Sequence, residues 1–299
     1  MGVAAQQTEK AVRKLAGTKV GIPPRQLNFR IPEQAPRYFY GDNGTATAFF
    51  AVLSAIFPPG EDFFVESVRR FRDQIDDPEL KAQVAGFIGQ EAIHGREHER
   101  LNEMLREQGF DIHAPDRAIR AGLWLLEQLP HRQQLACTAM MEHFTALLGE
   151  QLLTDKEFSQ HADPEMIQLW YWHALEELEH KAVCYDVYEN LGNSQTERAL
   201  TFPYVAGALL PAIVGSWGYL VVRDGLWRNP ADVRQGLKLL LGKNGFVTRI
   251  LPRMGAYAKK DFHPDKHDTQ ALVKTWREKL FGENGSLSAD VKNLEATTV

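Results

Sequence analysis

Two stretches of this chain carry acids and imidazoles where a helix should bury its apolar stripe. In steps of three and four, the first reads Val84, Phe87, Glu91, His94, His98, Leu101, Leu105. The second reads Trp170, His173, Glu177, His180, Cys184, Val187, Leu191. Such steps return to one side of a helix, so each apolar face has His and Glu at its centre. A carboxylate buried there without a partner is expensive. One Glu-x-x-His pair means little, but Glu91 with His94 and Glu177 with His180 point to a cation shared between helices.

Ferritin-like two-metal sites combine two such pairs with one further Glu from each of two other helices. For the first, Glu61 lies one step before the stripe Phe64, Val68, Phe71, Ile75, whereas Glu66 falls on the opposite side beside Arg69 and Arg70. For the second, Glu142 centres the stripe Leu135, Thr138, Thr145, Gly149, Leu152, and Glu150 is the weaker rival. The expected metal ligands are Glu61, Glu91, His94, Glu142, Glu177 and His180. His98 and His173 are either extra ligands or hydrogen-bonded core histidines. His143 falls on another face of its helix, and Glu176 and Glu179 read as exposed or ion-paired. Cys137 and Cys184 read as small buried apolar groups. The FHPDKHD stretch, Phe262 to Asp268, reads as a loop and cap, and no role is assigned to Tyr185, Asp186 or Tyr188. No catalytic residue is assigned beyond the ligands.

The rest of the 299 residues predict an all-α chain: strand alternation and hairpin turns are nearly absent. Residues 1–44, rich in Pro, Arg and Gln, predict an extended arm. Pro58-Pro59-Gly60 predicts a helix stop and a new start at Glu61. Further starts are expected at Asp77-Pro78, Asp116, Pro130 and Asp163-Pro164, the last helix running to Asn190. The helical domain spans 45–281, with additional C-terminal helices, and 282–299 reads as a disordered tail. A net charge of −5 gives no reason to expect nucleic acid. Two cysteines suggest a reducing compartment, and residues 1–18 lack the apolar core of a signal peptide, so a cytoplasmic location is expected.

One segment disturbs that picture. Leu200 to Val222 holds no charged residue and is long enough for a membrane span, though Pro203, Pro211 and three glycines interrupt it. It reads as a buried hairpin or the wall of an apolar tunnel, with peripheral membrane contact as the alternative. The tunnel reading implies an apolar or acyl-type small-molecule substrate. A homodimer is also expected.

The words FPPGEDFF, FIGQEAIHGREH, EHFTALL and WHALEELEHKAVCYDVY resemble a bacterial family labelled predicted metal-dependent hydrolases. That resemblance, from about Pro58 to Tyr188, implies a ferritin-like four-helix bundle. His173, Glu177 and His180 are also similar to the His-x-x-x-Glu-x-x-His helix of p-aminobenzoate N-oxygenases, which are di-iron proteins with an extra histidine. His98 departs from that pattern. Four carboxylates with two to four imidazoles suit two metal ions, iron first and manganese or zinc next. The expected activity is therefore dioxygen-dependent oxidation. Two-metal hydrolysis is the alternative, and non-enzymatic iron binding the third reading.

Overall fold

A computed structural model describes residues 16–297. Among them there is no strand, only two isolated antiparallel bridges, Leu27 with Val291 and Tyr40 with Ala162. The chain is all-α, compatible with a ferritin-like bundle. In order the helices are α1 (Gly44–Arg69), α2 (Pro78–Glu107), α3 (His113–Glu127), α4 (His131–Thr154), α5 (Lys156–His161), α6 (Ile167–His180), α7 (Val183–Asn190), α8 (Gln195–Arg223), α9 (Pro230–Leu241), α10 (Leu251–Met254), α11 (Gln270–Phe281) and α12 (Leu294–Thr297). α1 packs along α2, and α4 along α6, with α1 also touching α4 and α2 touching α6.

The expected stop at Pro58-Pro59-Gly60 does not occur; α1 runs through all three residues. Proline in a helix interior removes the hydrogen bond to the carbonyl four residues earlier. For Pro58 that carbonyl belongs to Ser54, and Asn102 Nδ2 of α2 donates to it at 3.2 Å. Tertiary packing thus takes over a bond the helix cannot make, and Glu61 sits in the second half of a long helix rather than at the start of a short one. Asp77 begins α2 as expected, its side chain accepting from Glu79 N. The helix expected to reach Asn190 breaks at Lys181-Ala182, where the Lys181 ammonium donates to the His267 carbonyl and the Thr269 hydroxyl.

The expected N-terminal arm falls partly on residues 1–15, outside the described residues. Its described part packs into the bundle core through Leu27, Phe29, Phe39 and Tyr40. The expected disorder from 282 is corrected up to Thr297: Leu287 and Val291 are buried in the same core. Asn28 N donates to Asp290 O and Lys292 N to Gln26 O, so the tail is held by backbone pairing with the arm. Leu294 packs against the same core beside them.

Among the described residues two helices are long and apolar enough to cross a membrane, Gly44–Gln74 and Gln195–Arg223, with 78% and 22% of their apolar windows buried. The first is the core helix carrying Glu61. The second contains 200–222, and the buried hairpin expected there is corrected: α8 is one continuous helix through Pro203 and Pro211, mostly exposed.

Candidate metal centre

Each of the four central helices brings acid or imidazole groups to one buried point. α1 supplies Glu61, α2 Glu91 and His94, α4 Glu142, and α6 His173, Glu177 and His180, all between 0% and 4% exposed. Candidate ligand atoms of Glu61, His94 and His173 lie within 4.8 Å of one another, as do those of Glu91, Glu177 and His180. His180 Nε2 is 3.1 Å from Glu91 Oε1 and 3.4 Å from Glu142 Oε2, which joins Glu142 to the second group. His94 Nδ1 lies 3.7 Å from Glu177 Oε1, and His173 Nε2 lies 2.9 Å from that same oxygen, so Glu177 faces both groups.

The carboxylates meet almost nothing else. Both oxygens of Glu61, Glu91 and Glu142, with Glu177 Oε2, His94 Nδ1 and His180 Nε2, are buried without a hydrogen-bond partner. Buried polar groups are normally paired, and these converge on one volume. Burial and mutual repulsion push Glu61 and Glu91 well above the usual carboxylate range, and Glu142 up to about 7. Burial works against ionised Glu177 too, but His180 and His173 outweigh it and hold its carboxyl well below the usual range. Burial likewise lowers His180, yet Glu177 and Glu142 keep it well above an ordinary imidazole. Two divalent ions would neutralise four carboxylates, so the donor set fits such a pair.

Hydrogen bonds behind the cluster orient each imidazole. Glu176 Oε2 accepts from His94 Nε2 at 3.0 Å, leaving Nδ1 with its lone pair toward the acids. Gln90 Oε1 accepts from His180 Nδ1 at 3.0 Å, which leaves Nε2 facing inward. Gln90 Nε2 in turn donates to Glu179 Oε2 at 2.8 Å. Arg25 of the arm binds Glu176 and Glu179, and Arg277 of α11 binds Glu179. Such outer partners fix the tautomer and orientation of metal-ligating histidines. Sequence reading missed Gln90 and Arg25 altogether. It left Glu176 and Glu179 as exposed or ion-paired; they are ion-paired and buried. Gln90 could have been noticed, because it precedes His94 by one helical turn.

The two uncertain histidines separate. His173 faces the acids, whereas His98 lies behind it, Nε2 2.7 Å from His173 Nδ1 and Nδ1 3.0 Å from Ser54 Oγ. Glu66 is exposed and paired with Arg69, and Glu150 pairs with Arg253 and His267, both away from the cluster.

A cavity of about 30 Å³ borders Glu177 and His173, lined by Phe50, Leu53, Phe57, Leu148, Trp170 and Phe246 among others. No residue of 200–222 lines it, so the expected tunnel wall is corrected. Gly207, Gly215 and Gly218, the three glycines of that segment, face open space on the outside of α8.

No curated protein and no solved structure matches this chain. A family pattern does match, over residues 23–268, a span that opens just before Arg25 and holds every ligand candidate. With its buried four-helix cluster of acids and imidazoles, the chain belongs to the family described as predicted metal-dependent hydrolases.

Proposed function

We propose that the chain holds two metal ions, iron by preference, and uses them for dioxygen-dependent oxidation of a small apolar molecule. Glu61, Glu91, His94, Glu142, His173, Glu177 and His180 would hold the ions. Bound there, the ions supply redox chemistry at a site rich in hard oxygen donors. The observation that carries the reading is the sealing of the site: its ligands are at most 4% exposed and the cavity against them is small and aromatic. A space of about 30 Å³ has room for a diatomic gas, while an organic substrate, whether oxidised or hydrolysed, needs more.

The chain's own residues exclude water and hold protons at fixed atoms. Phe57 packs on the rings of both His98 and His173, with centroids 4.5 and 4.3 Å away. Glu176 and Gln90 keep the protons of His94 and His180 on their outward nitrogens.

The second reading, two-metal hydrolysis, is the one the family description supports, and more directly than it supports oxidation. In that case the ions act as Lewis acids and zinc or manganese suffices. One experiment separates the two. Metal-free protein is loaded with ferrous ion without air, then mixed with oxygenated buffer while absorbance and dissolved oxygen are followed. Parallel zinc- and manganese-loaded samples are assayed on ester and amide panels. Oxygen uptake with a new absorption band is expected; its absence, with hydrolysis by the zinc or manganese form, overturns the oxidation reading.

A further inference from the structure

The outer face of α8 has no partner among the described residues. Leu210, Val214 and Val222 are 56%, 54% and 62% exposed, and Leu200, Tyr204 and Tyr219 are exposed beside them. A solvent-facing helix side normally carries charge, yet none occurs between Arg198 and Arg223. The opposite side is fixed. Val205, Ala208, Leu209 and Leu220 are buried, and Trp217 Nε1 donates to Thr45 O of α1 at 2.9 Å. α8 therefore lies side-on against the bundle and is not free to stand across a bilayer.

The apolar surface continues past the helix end. Val221 shares a cleft with Trp227, Pro230, Val233 and Leu237, and α3, packed along α8, exposes Trp124 and Leu125. Exposed patches this extended mark interaction sites. The charge beside it selects the partner. Residues 223–243 carry Arg223, Arg228, Arg234, Lys238 and Lys243 against two acids, in a chain whose net charge is negative. Both acids turn inward: Asp224 meets Arg37 and Tyr38, and Asp232 accepts from Gly44 N and Thr45 N at the start of α1. Arg223 is itself 3.4 Å from Asp111, which leaves the α9 side as the freer cationic edge.

We propose that this face seats on an anionic lipid bilayer, with α8 parallel to the membrane, its apolar side among the acyl chains and the bases of 223–243 at the headgroups. An apolar face with aromatic and cationic flanks is how interfacial helices bind.

The test is cosedimentation of the full chain with phosphatidylcholine vesicles, with and without phosphatidylglycerol. Binding is expected to rise about tenfold or more with the anionic lipid. Leu210→Glu with Val214→Glu should abolish it, and Arg234→Glu with Lys238→Glu should remove the dependence on phosphatidylglycerol. These side chains are exposed, so helicity and metal content should not change in either variant. Failure of the wild type to sediment with either vesicle overturns the proposal. So does a vesicle-free dimer, seen by light scattering, that the Leu210→Glu, Val214→Glu variant dissociates; the face would then cover a second copy. Metal content and oxygen uptake play no part in these readouts, so the outcome stands apart from that of the site chemistry.

Discussion

His98 Nε2 lies 2.7 Å from His173 Nδ1, and only the second of the two rings turns toward the carboxylates. In the tautomer where Ser54 accepts from His98 Nδ1, His173 Nδ1 donates to His98 Nε2 and His173 Nε2 is free to give its lone pair to a cation. His98 thus acts on the site through His173. His98→Ala should leave both metals bound but lower affinity by about 10–100-fold, as loss of an outer hydrogen bond does. His173→Ala should cost more, because a donor facing the ions is gone. Metal content after dialysis against graded chelator distinguishes the two.

The ligand assignment makes a sharper contrast. Glu91→Ala and Glu177→Ala each remove a carboxylate from the centre of the cluster and should abolish metal loading. Glu66→Ala, on the exposed side of α1, should leave it full. Elemental analysis of the three purified variants decides it; full occupancy in either of the first two rejects the assignment.

The stripes of α2 and α6 were legible because a period of three and four is local, and so were Glu61 and Glu142 as the additional acids. What could not be read depends on distant partners. Pro58 and Pro59 look like a stop until Asn102 is found to satisfy the Ser54 carbonyl. Glu176 is adjacent to a ligand on its helix, and only Arg25, far away in sequence, explains how it can be buried. Segment 200–222 is apolar enough for a core, and nothing local says that one side of it is left uncovered.

Gly149 marks a close approach of α4 and α6: a Cβ there would stand 2.8 Å from the Ala174 carbonyl oxygen. Backbone must move to admit a methyl group, so Gly149→Ala should cost about 1–3 kcal/mol. The shift separates Glu142 from His173 and Glu177, which sit on those helices. Thermal unfolding should show the loss, and metal affinity should fall with it, although residue 149 ligates nothing.

Metal-free protein should become less stable as the pH rises from about 5 through neutrality. Glu142 is raised from 4.5 to about 7 by burial and by Glu177, so between these values the folded state holds a proton that the unfolded chain has lost. Stability from this group is present below 4.5 and falls as pH climbs to about 7. Glu61 and Glu91 act in the same sense, and so does His180, whose folded value is raised. His94 and His98, lowered by burial and by His173, act oppositely but only below their ordinary value of 6.5. Glu142→Gln isolates one contribution: its melting temperature relative to wild type should rise between pH 5 and 7.5, by the equivalent of about 1–3 kcal/mol. Adding metal should erase the difference in pH slope, because the cation then replaces the proton.

Arg25 joins the arm to the site by binding two buried acids, Glu176 at 2.7 Å and Glu179 at 2.8 Å. Burial and Glu179 raise the Glu176 carboxyl to about 8 even with Arg25 beside it. Glu179 keeps a second guanidinium, Arg277 at 2.6 Å, whereas Glu176 has beside Arg25 only the His94 imidazole among the described residues. Arg25→Ala therefore pushes the Glu176 carboxyl further up, so that at neutral pH it is buried protonated with one hydrogen-bond partner lost, at a cost of about 1–3 kcal/mol. Arg25→Met, which fills the space without the charge, should be nearly as harmful while Glu176 is present. Paired with Glu176→Gln it should recover much of the loss, since a neutral amide can still accept from His94 Nε2. A double-mutant cycle on melting temperature measures this coupling. If the two substitutions simply add, Arg25 holds the arm through Glu179 alone.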